Sequence, residues 1–336
     1  INELIDYATN KNTTKMKNQW MRCDHTWATL RSQEKCIETL PPTELDQILQ
    51  VFYAEVKKTN GEDYEPNSLS ALQNGIERYL KERNYNFSIL RSTEFKTSRS
   101  VLEGKARLLR EAGKGKRPNK SCSLTGEEEE QLWKCGQFGS ESPIAFINTL
   151  WWLFTLHFGL RGRQEHHDMK VEDFTFEKDE HATIFLTYAE GITKTRQSGL
   201  HDKNRLSIPK MFETKSSSCP MKIFKLYLSK RPLNLRNFGP FYLSPITNPV
   251  SNIWFKSSPM GVNTINNIMK NMLKNSPLNN LQKHVTSHSA HKTLVKKLKK
   301  NHIPKSDIIS ITGHRNEAGL DAYDSGDENE QQAISL

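Results

Sequence analysis

Cysteine is sparse and unpatterned: Cys23, Cys36, Cys122, Cys135 and Cys219 are odd in number, scattered, and form no C-x-x-C pair. Neither a disulfide framework nor a zinc module follows from them, and a reducing compartment fits best. Long apolar runs are lacking as well. The most apolar stretch, Ile144 to Leu160, has Asn148, Thr149 and His157 inside it and is shorter than the roughly 18–20 residues a membrane span requires. It reads as a buried helix, and no membrane partner is expected. The hydrophobic fraction is low, 35%, beside an ordinary charged fraction of 26%. No internal repeat is visible, and no strand pattern precedes Gly113. No signal peptide is legible, and Ile1 in place of Met leaves room for sequence upstream.

Acidic charge is in deficit except at the end. The last thirteen residues hold Asp324, Asp327, Glu328 and Glu330 and no Lys or Arg, so the formal charge of +10 becomes +14 for the chain up to Tyr323. That excess favours a polyanion, nucleic acid first, although a merely soluble basic protein has the same balance.

The 336 residues suffice for two domains. Residues 1–112 read as helical. Asn12 to Arg31 carries Met16, Trp20 and Trp27 as anchors, and Thr43 is the expected cap of a helix through Leu45, Leu49, Phe52 and Tyr53. Leu69, Leu72, Ile76 and Leu80 follow on a third helix, and Val101 to Leu109 on a fourth that stops at Gly113. Residues 113–124 form the linker, where GKGKRPNK offers Lys114, Lys116, Arg117 and Lys120 to a phosphate backbone or simply to water. From residue 125 to 323 a second domain is mainly helical with a small antiparallel sheet. Thr125 and Glu128 make a capping box, and Pro143 opens the apolar helix to Phe158. Ala182–Tyr188 is β-rich with Arg205–Ile208 as its expected partner, and helices are expected at Cys219–Ser229 and Thr264–Lys274.

The stretch Thr286 to Tyr323 concentrates the chemistry. Ser287 is the expected N-cap of a helix carrying Leu294, Val295 and Leu298. His288 and His291 fall on one face of its first turn, whose unpaired N–H groups would seat a phosphate. A second helix through Ile308, Ile309 and Ile311 ends at Gly313, which hands the chain to His314, and Tyr323 comes nine residues later. Histidines converging on a late tyrosine point to covalent chemistry on a phosphodiester. Each residue alone has a plainer reading. Arg161 could answer a helix dipole, Lys194 could be solvated, and the three histidines could hold zinc. His166 and His167 look metal-like but diverge by about 100° on a helix.

Taken in order, GLR at Arg161, TKT at Lys194, His288 three residues before His291, Gly313-His314 and Tyr323 resemble the tyrosine recombinases. EPNSLSALQNGIERYL, FGLRGRQEHHDMK and FKSSPMGVNTINNIMK further resemble the Crypton-type DNA transposons of eukaryotes and host genes derived from them. The resemblance implies a C-shaped two-domain clamp on double-stranded DNA, with a helical core-binding domain and a catalytic domain. It implies a nuclear homo-tetramer on two DNA sites, with no cofactor, metal or small-molecule substrate. In that mechanism Tyr323 attacks the scissile phosphate to give a 3′-phosphotyrosine, and Arg161 stabilises the transition state. Lys194 protonates the leaving 5′ oxygen, His288 handles the proton of the nucleophile, and His314 hydrogen-bonds a phosphate oxygen. The tail 324–336 is expected to dock in trans.

One position departs from the pattern, which wants arginine where this chain has His291. Imidazole is shorter, cannot fork to two oxygens and is mostly neutral near pH 7, so cleavage is expected to be attenuated or absent with DNA binding kept. Lys292 follows but points about 100° away round the helix, which argues against it as a substitute. With Lys296 it belongs to a KKLKK run that reads as a phosphate track, a nuclear localisation signal or a solvated face. A domesticated, non-catalytic sequence-specific DNA binder is the alternative function, and a type IB topoisomerase a more distant one.

Overall fold

Trp20 dictates how the first helix sits. The structure is a computed structural model that describes residues 11–31, 36–115, 120–161, 163–191, 208–216, 218–314, 316–321 and 323. Helix α1, Lys11–Leu30, lays Trp20 directly over Gly75 of α3, Pro66–Glu82. A Cβ at Gly75 would come within 2.7 Å of Trp20 Cδ1, so glycine is required for the approach. Trp20 is buried, whereas Met16 stays at the surface. Helix α2, Pro42–Glu55, starts at Pro42 with Pro41 as its N-cap, so Thr43 lies inside the helix and does not cap it. Proline fits the first helical position because its missing N–H has no intrahelical partner there anyway. Helix α4, Lys96–Glu111, is anchored by the buried Asp46 carboxylate of α2, which accepts the Ser98 N–H at 3.0 Å. Buried Glu77 likewise accepts from Ile89 N and Ser88 Oγ at 2.9 and 2.8 Å. These helices enclose one core around Leu49, Phe52, Leu72, Ile76 and Phe95.

The chain divides into two units, Ile1–Asn119 and Lys120–Leu336. In the second, residues 120–124 are held down rather than left as tether. Cys122 N donates to His284 O at 2.7 Å, Leu124 N to Thr293 Oγ1 at 2.9 Å, and Lys283 Nζ to Ser123 O at 2.9 Å. Helix α5, Gly126–Lys134, opens with the reciprocal Thr125–Glu128 box. Helix α6, Pro143–Phe158, is capped by Ser142, buried on nearly every side, and closed by Gly159 at φ +67°. Its Phe154 packs with ring centroids 5.1 Å from both Phe174 and Phe241.

After α7, Arg163–Asp168, the described residues form three antiparallel strands in the order β1-β2-β3: Phe174–Lys178, Ile184–Tyr188 and Lys210–Phe212. The expected Ala182–Tyr188 strand therefore pairs with two neighbours. One is β1, whose mostly exposed FTFEK gives little alternation to read; the other is β3, while residues 205–207 of the expected partner Arg205–Ile208 lie outside the described residues. Helix α8, Pro220–Lys230, precedes a second hairpin of β4, Leu243–Pro245, and β5, Phe255–Pro259. The helix expected over Thr264–Lys274 is two, α9 Val262–Asn266 and α10 Ile268–Lys274, meeting at Asn267. Fully buried Arg231 ties this region together by donating to the carbonyls of Leu235, Pro240 and Phe241 and to Tyr227 Oη. The chain continues through α11 Ser287–Lys300, α12 Lys305–Thr312 and α13 Ala318–Asp321. The fold is thus mainly helical with small antiparallel sheets.

Candidate active site

Three helix ends of the second unit build the site. The αL turn at Gly159 ends α6 and delivers Leu160, buried, and Arg161, half-buried. Arg161 Nη2 donates to Thr312 O at 3.1 Å, and its backbone N–H donates to Glu165 Oε2 at 2.5 Å. Helix α11 is capped by Thr286 rather than by Ser287. Thr286 Oγ1 accepts from His288 N at 3.2 Å, and Ser289 Oγ accepts from Thr286 N at 2.9 Å. Part of the N–H array expected to seat a phosphate is thereby committed to the cap. Gly313, at φ +65°, ends α12 and turns out His314. A small apolar cluster of Val295, Ile308 and Leu320, with Tyr323 packed on it, sets the last element.

These ends bring the aromatic side chains together. His288 and His291 stack at 5.7 Å between centroids, His291 and His314 lie at 5.4 Å, and Tyr323 is 5.5 Å from His314. Tyr323 is also 6.0 Å from each of the other two rings. Its Oη lies 3.2 Å from His288 Nε2.

Hydrogen bonding sets the tautomers. Burial, then the Lys292 charge, lowers the His288 pKa, while a backbone bond with Arg161 partly offsets this. Neutral His288 with its hydrogen on Nδ1 accepts the Tyr323 hydroxyl through Nε2. His291 is wholly buried and held well below the usual imidazole range by burial and by the Arg161 charge. Its Nδ1 is 3.2 Å from Leu160 O, which can only accept, so Nδ1 carries the hydrogen. Its Nε2 is then a buried lone pair with no hydrogen-bond partner. Thr312 Oγ1 donates its one hydrogen to Ile308 O and so accepts from His314 Nδ1, both at 2.5 Å. Burial and the Arg161 charge bring the His314 pKa down to about 4. Burial pushes Tyr323 up, and Arg161 partly offsets it. The site is thus a pocket of neutral imidazoles around a phenol, with the permanent charge of Arg161 beside them.

Of the residues read from sequence, Arg161, His288, His291, His314 and Tyr323 come together here. Lys194, Lys116 and Arg117 lie outside the described residues, as does the tail 324–336. Lys114 Nζ donates to Asp63 O at 3.2 Å in the first unit, Lys120 is half-buried in the second, and Lys296 is exposed. Lys292 is closer to the chemistry than its helical angle implied. Its Nζ donates to Ser121 O at 2.6 Å and lies 5.8 Å from the centroid of the Tyr323 ring. Thr312 and the Leu160 carbonyl were not foreseen, although Thr312 stands only two residues before His314. His166 is a core residue, with one ring nitrogen 3.0 Å from Thr155 Oγ1 and the other 2.9 Å from Tyr242 Oη. Among the described residues no group of three His, Cys, Asp or Glu is arranged to hold a metal ion.

Solved structures share this architecture. An integrase of the Tn1549 transposon, in complex with circular intermediate DNA, matches with a TM-score of 0.53 at 14% identity, covering 98% of this chain and 94% of that one. The XerH site-specific recombinase, bound to a palindromic difH substrate, matches at 0.51 and 15% identity, covering 97% and 79%. The fold is that of the tyrosine recombinases. On that fold the sequence matches two family models: a domain of unknown function, DUF3504, over residues 123–274, and the QRICH1 domain over residues 1–106. Human uncharacterized protein KIAA1958 is 27% identical over 292 residues, 84% of this chain and 40% of the relative. Human zinc finger MYM-type protein 2 is 29% identical over 247 residues, 68% and 18%. Human transcriptional regulator QRICH1 is 24% identical over 240 residues, 69% and 30%. This chain thus spans less than half the length of these curated relatives.

Proposed function

We propose that the chain is a tyrosine recombinase of the Crypton type, attenuated at His291, that breaks and rejoins DNA through a 3′-phosphotyrosine. The observation that carries this reading is the 3.2 Å approach of Tyr323 Oη to His288 Nε2, inside a ring of imidazoles beside Arg161. Tyr323 Oη passes its proton to His288 Nε2 and bonds to phosphorus; the 5′ oxygen leaves and takes a proton from Lys194. Arg161, with its Nη2 already fixed on the Thr312 carbonyl, presents a permanent charge to the non-bridging oxygens. His314 enters through Nε2, since Nδ1 is held by Thr312. Residues 1–112 serve as the core-binding domain, the basic residues of 113–120 follow phosphates, and the protein works as a nuclear tetramer whose tail docks on a neighbouring protomer.

The test is a nicked suicide duplex that traps the covalent intermediate. A denaturation-resistant protein–DNA adduct that disappears in Tyr323→Phe supports the reading. Absence of adduct in both this chain and His291→Arg, with duplex binding intact, replaces it with the second reading. That second reading, a domesticated DNA-binding protein without catalysis, is favoured by His291 itself and by the similarity to a protein named as a transcriptional regulator.

A further inference from the structure

Among the described residues His291 Nε2 is a buried atom of the ring cluster with no hydrogen-bond partner, while the same ring's Nδ1–H is committed to Leu160 O. A lone buried acceptor of this kind is destabilising, and one hydroxyl would have met it, as hydroxyls do at both nitrogens of His166.

The ring cannot turn to advantage. Leu160 O accepts only, so flipping the ring would still place an N–H on that carbonyl and an empty lone pair on the other side. The groups facing it are Arg161 from the α6 end, His288 and, beyond it, Lys292 on α11, His314 after α12, and the Tyr323 phenol. The nearby carboxylate of Glu165 is engaged by the Arg161 backbone. Burial, then the Arg161 charge, with His288 and His314 adding in the same direction, keeps His291 neutral.

A phosphate entering among Arg161, His288 and His314 reverses both conditions. It brings negative charge into a low-dielectric pocket, where its field is strong, and it brings oxygens that accept but do not donate. Against a bare Nε2 such an oxygen is repelled; against Nε2–H it is bound. From the tautomer locked by Leu160 and the unmet Nε2, we infer that the site takes up one proton with each phosphate group, and that His291 becomes an imidazolium only when the anion is seated. This inference rests on the phosphodiester reading above and deepens it: the residue that replaces arginine supplies its charge conditionally, so engagement of the anion is favoured by acid.

Linkage fixes the sign. The free ring is neutral and the occupied ring protonated, so affinity rises as pH falls from the pKa of the occupied form toward that of the free form. Across that window the change reaches about tenfold per pH unit for a single coupled proton. The experiment uses the whole chain with isotopically labelled histidine and sulfate, a tetrahedral dianion that does not itself titrate near neutrality. At pH 6 saturating sulfate is expected to move the His291 ring signals to the imidazolium position. His291→Asn keeps a donor for Leu160 O but has no proton to gain, and is expected to lose about tenfold per unit of pH dependence in sulfate affinity relative to the parent. If sulfate shifts His288 and His314 while His291 stays neutral, or if His291→Asn retains the full pH slope, the inference falls and the phosphodiester site stands. If none of the three rings responds to sulfate or to a short duplex, the phosphodiester site itself falls.

Discussion

His166 and His291 are both buried histidines of the second unit, and they are treated in opposite ways. His166 lies in the aromatic core around α6, stacked at 5.5 Å on Trp151, with a hydroxyl at each ring nitrogen. His291 lies where three helix ends meet, with one nitrogen paired and the other left empty. His166 has both ring nitrogens committed to the fold; His291 keeps one in reserve. The contrast separates residues that hold the molecule together from residues poised for something outside it.

The largest effect that sharpens the contrast is Tyr323→Phe. It should abolish adduct on a suicide duplex completely while leaving the thermal midpoint within about 2–4 °C, because one hydroxyl bonded to His288 is lost. In the other region Phe154→Ala should cost about 3–5 kcal/mol in denaturant unfolding, since the ring is buried among Phe158, Phe174 and Phe241. His291→Arg should raise the rate of adduct formation about 10²–10³-fold by restoring a charged donor; an unchanged rate would break the contrast. Acid should act on the His166 region by stability. Burial holds that ring's pKa down to about 3, so the unfolded state binds its proton first, and stability falls as pH drops below about 6.5. Each such group contributes about 1.4 kcal/mol per pH unit until the folded-state pKa is reached, and His166→Gln should flatten that part of the unfolding profile. The smallest effect belongs to Asp46→Ala, about 1 kcal/mol through loss of the bond to Ser98 N in the first unit, with no change in adduct.

What was legible in the sequence follows the same division. Pro143 and the capping box at Thr125 and Glu128 are local signals, and the helices they open stand where the pattern places them. The order and spacing of Arg161, His288, His291, His314 and Tyr323 marked residues that do meet. Signals that depend on partners far along the chain were not legible. Ser287 and Thr286 are equally good caps by type, and only the return of Ser289 Oγ to Thr286 N decides between them. The strand Phe174–Lys178 carries mostly exposed residues, and β4 and β5 are short, so neither alternates enough to be seen. The empty Nε2 of His291 depends on a carbonyl 131 residues earlier, which no spacing rule reports.

Gly159 has one further consequence. Only Leu160 separates its left-handed turn from Arg161, so the guanidinium and the carbonyl that orients His291 hang from the end of a helix buried along nearly its whole length. Amide hydrogens there should exchange with deuterium as slowly as those of the interior, and a repacked α6 would retune the chemistry from beneath without touching any of its named groups.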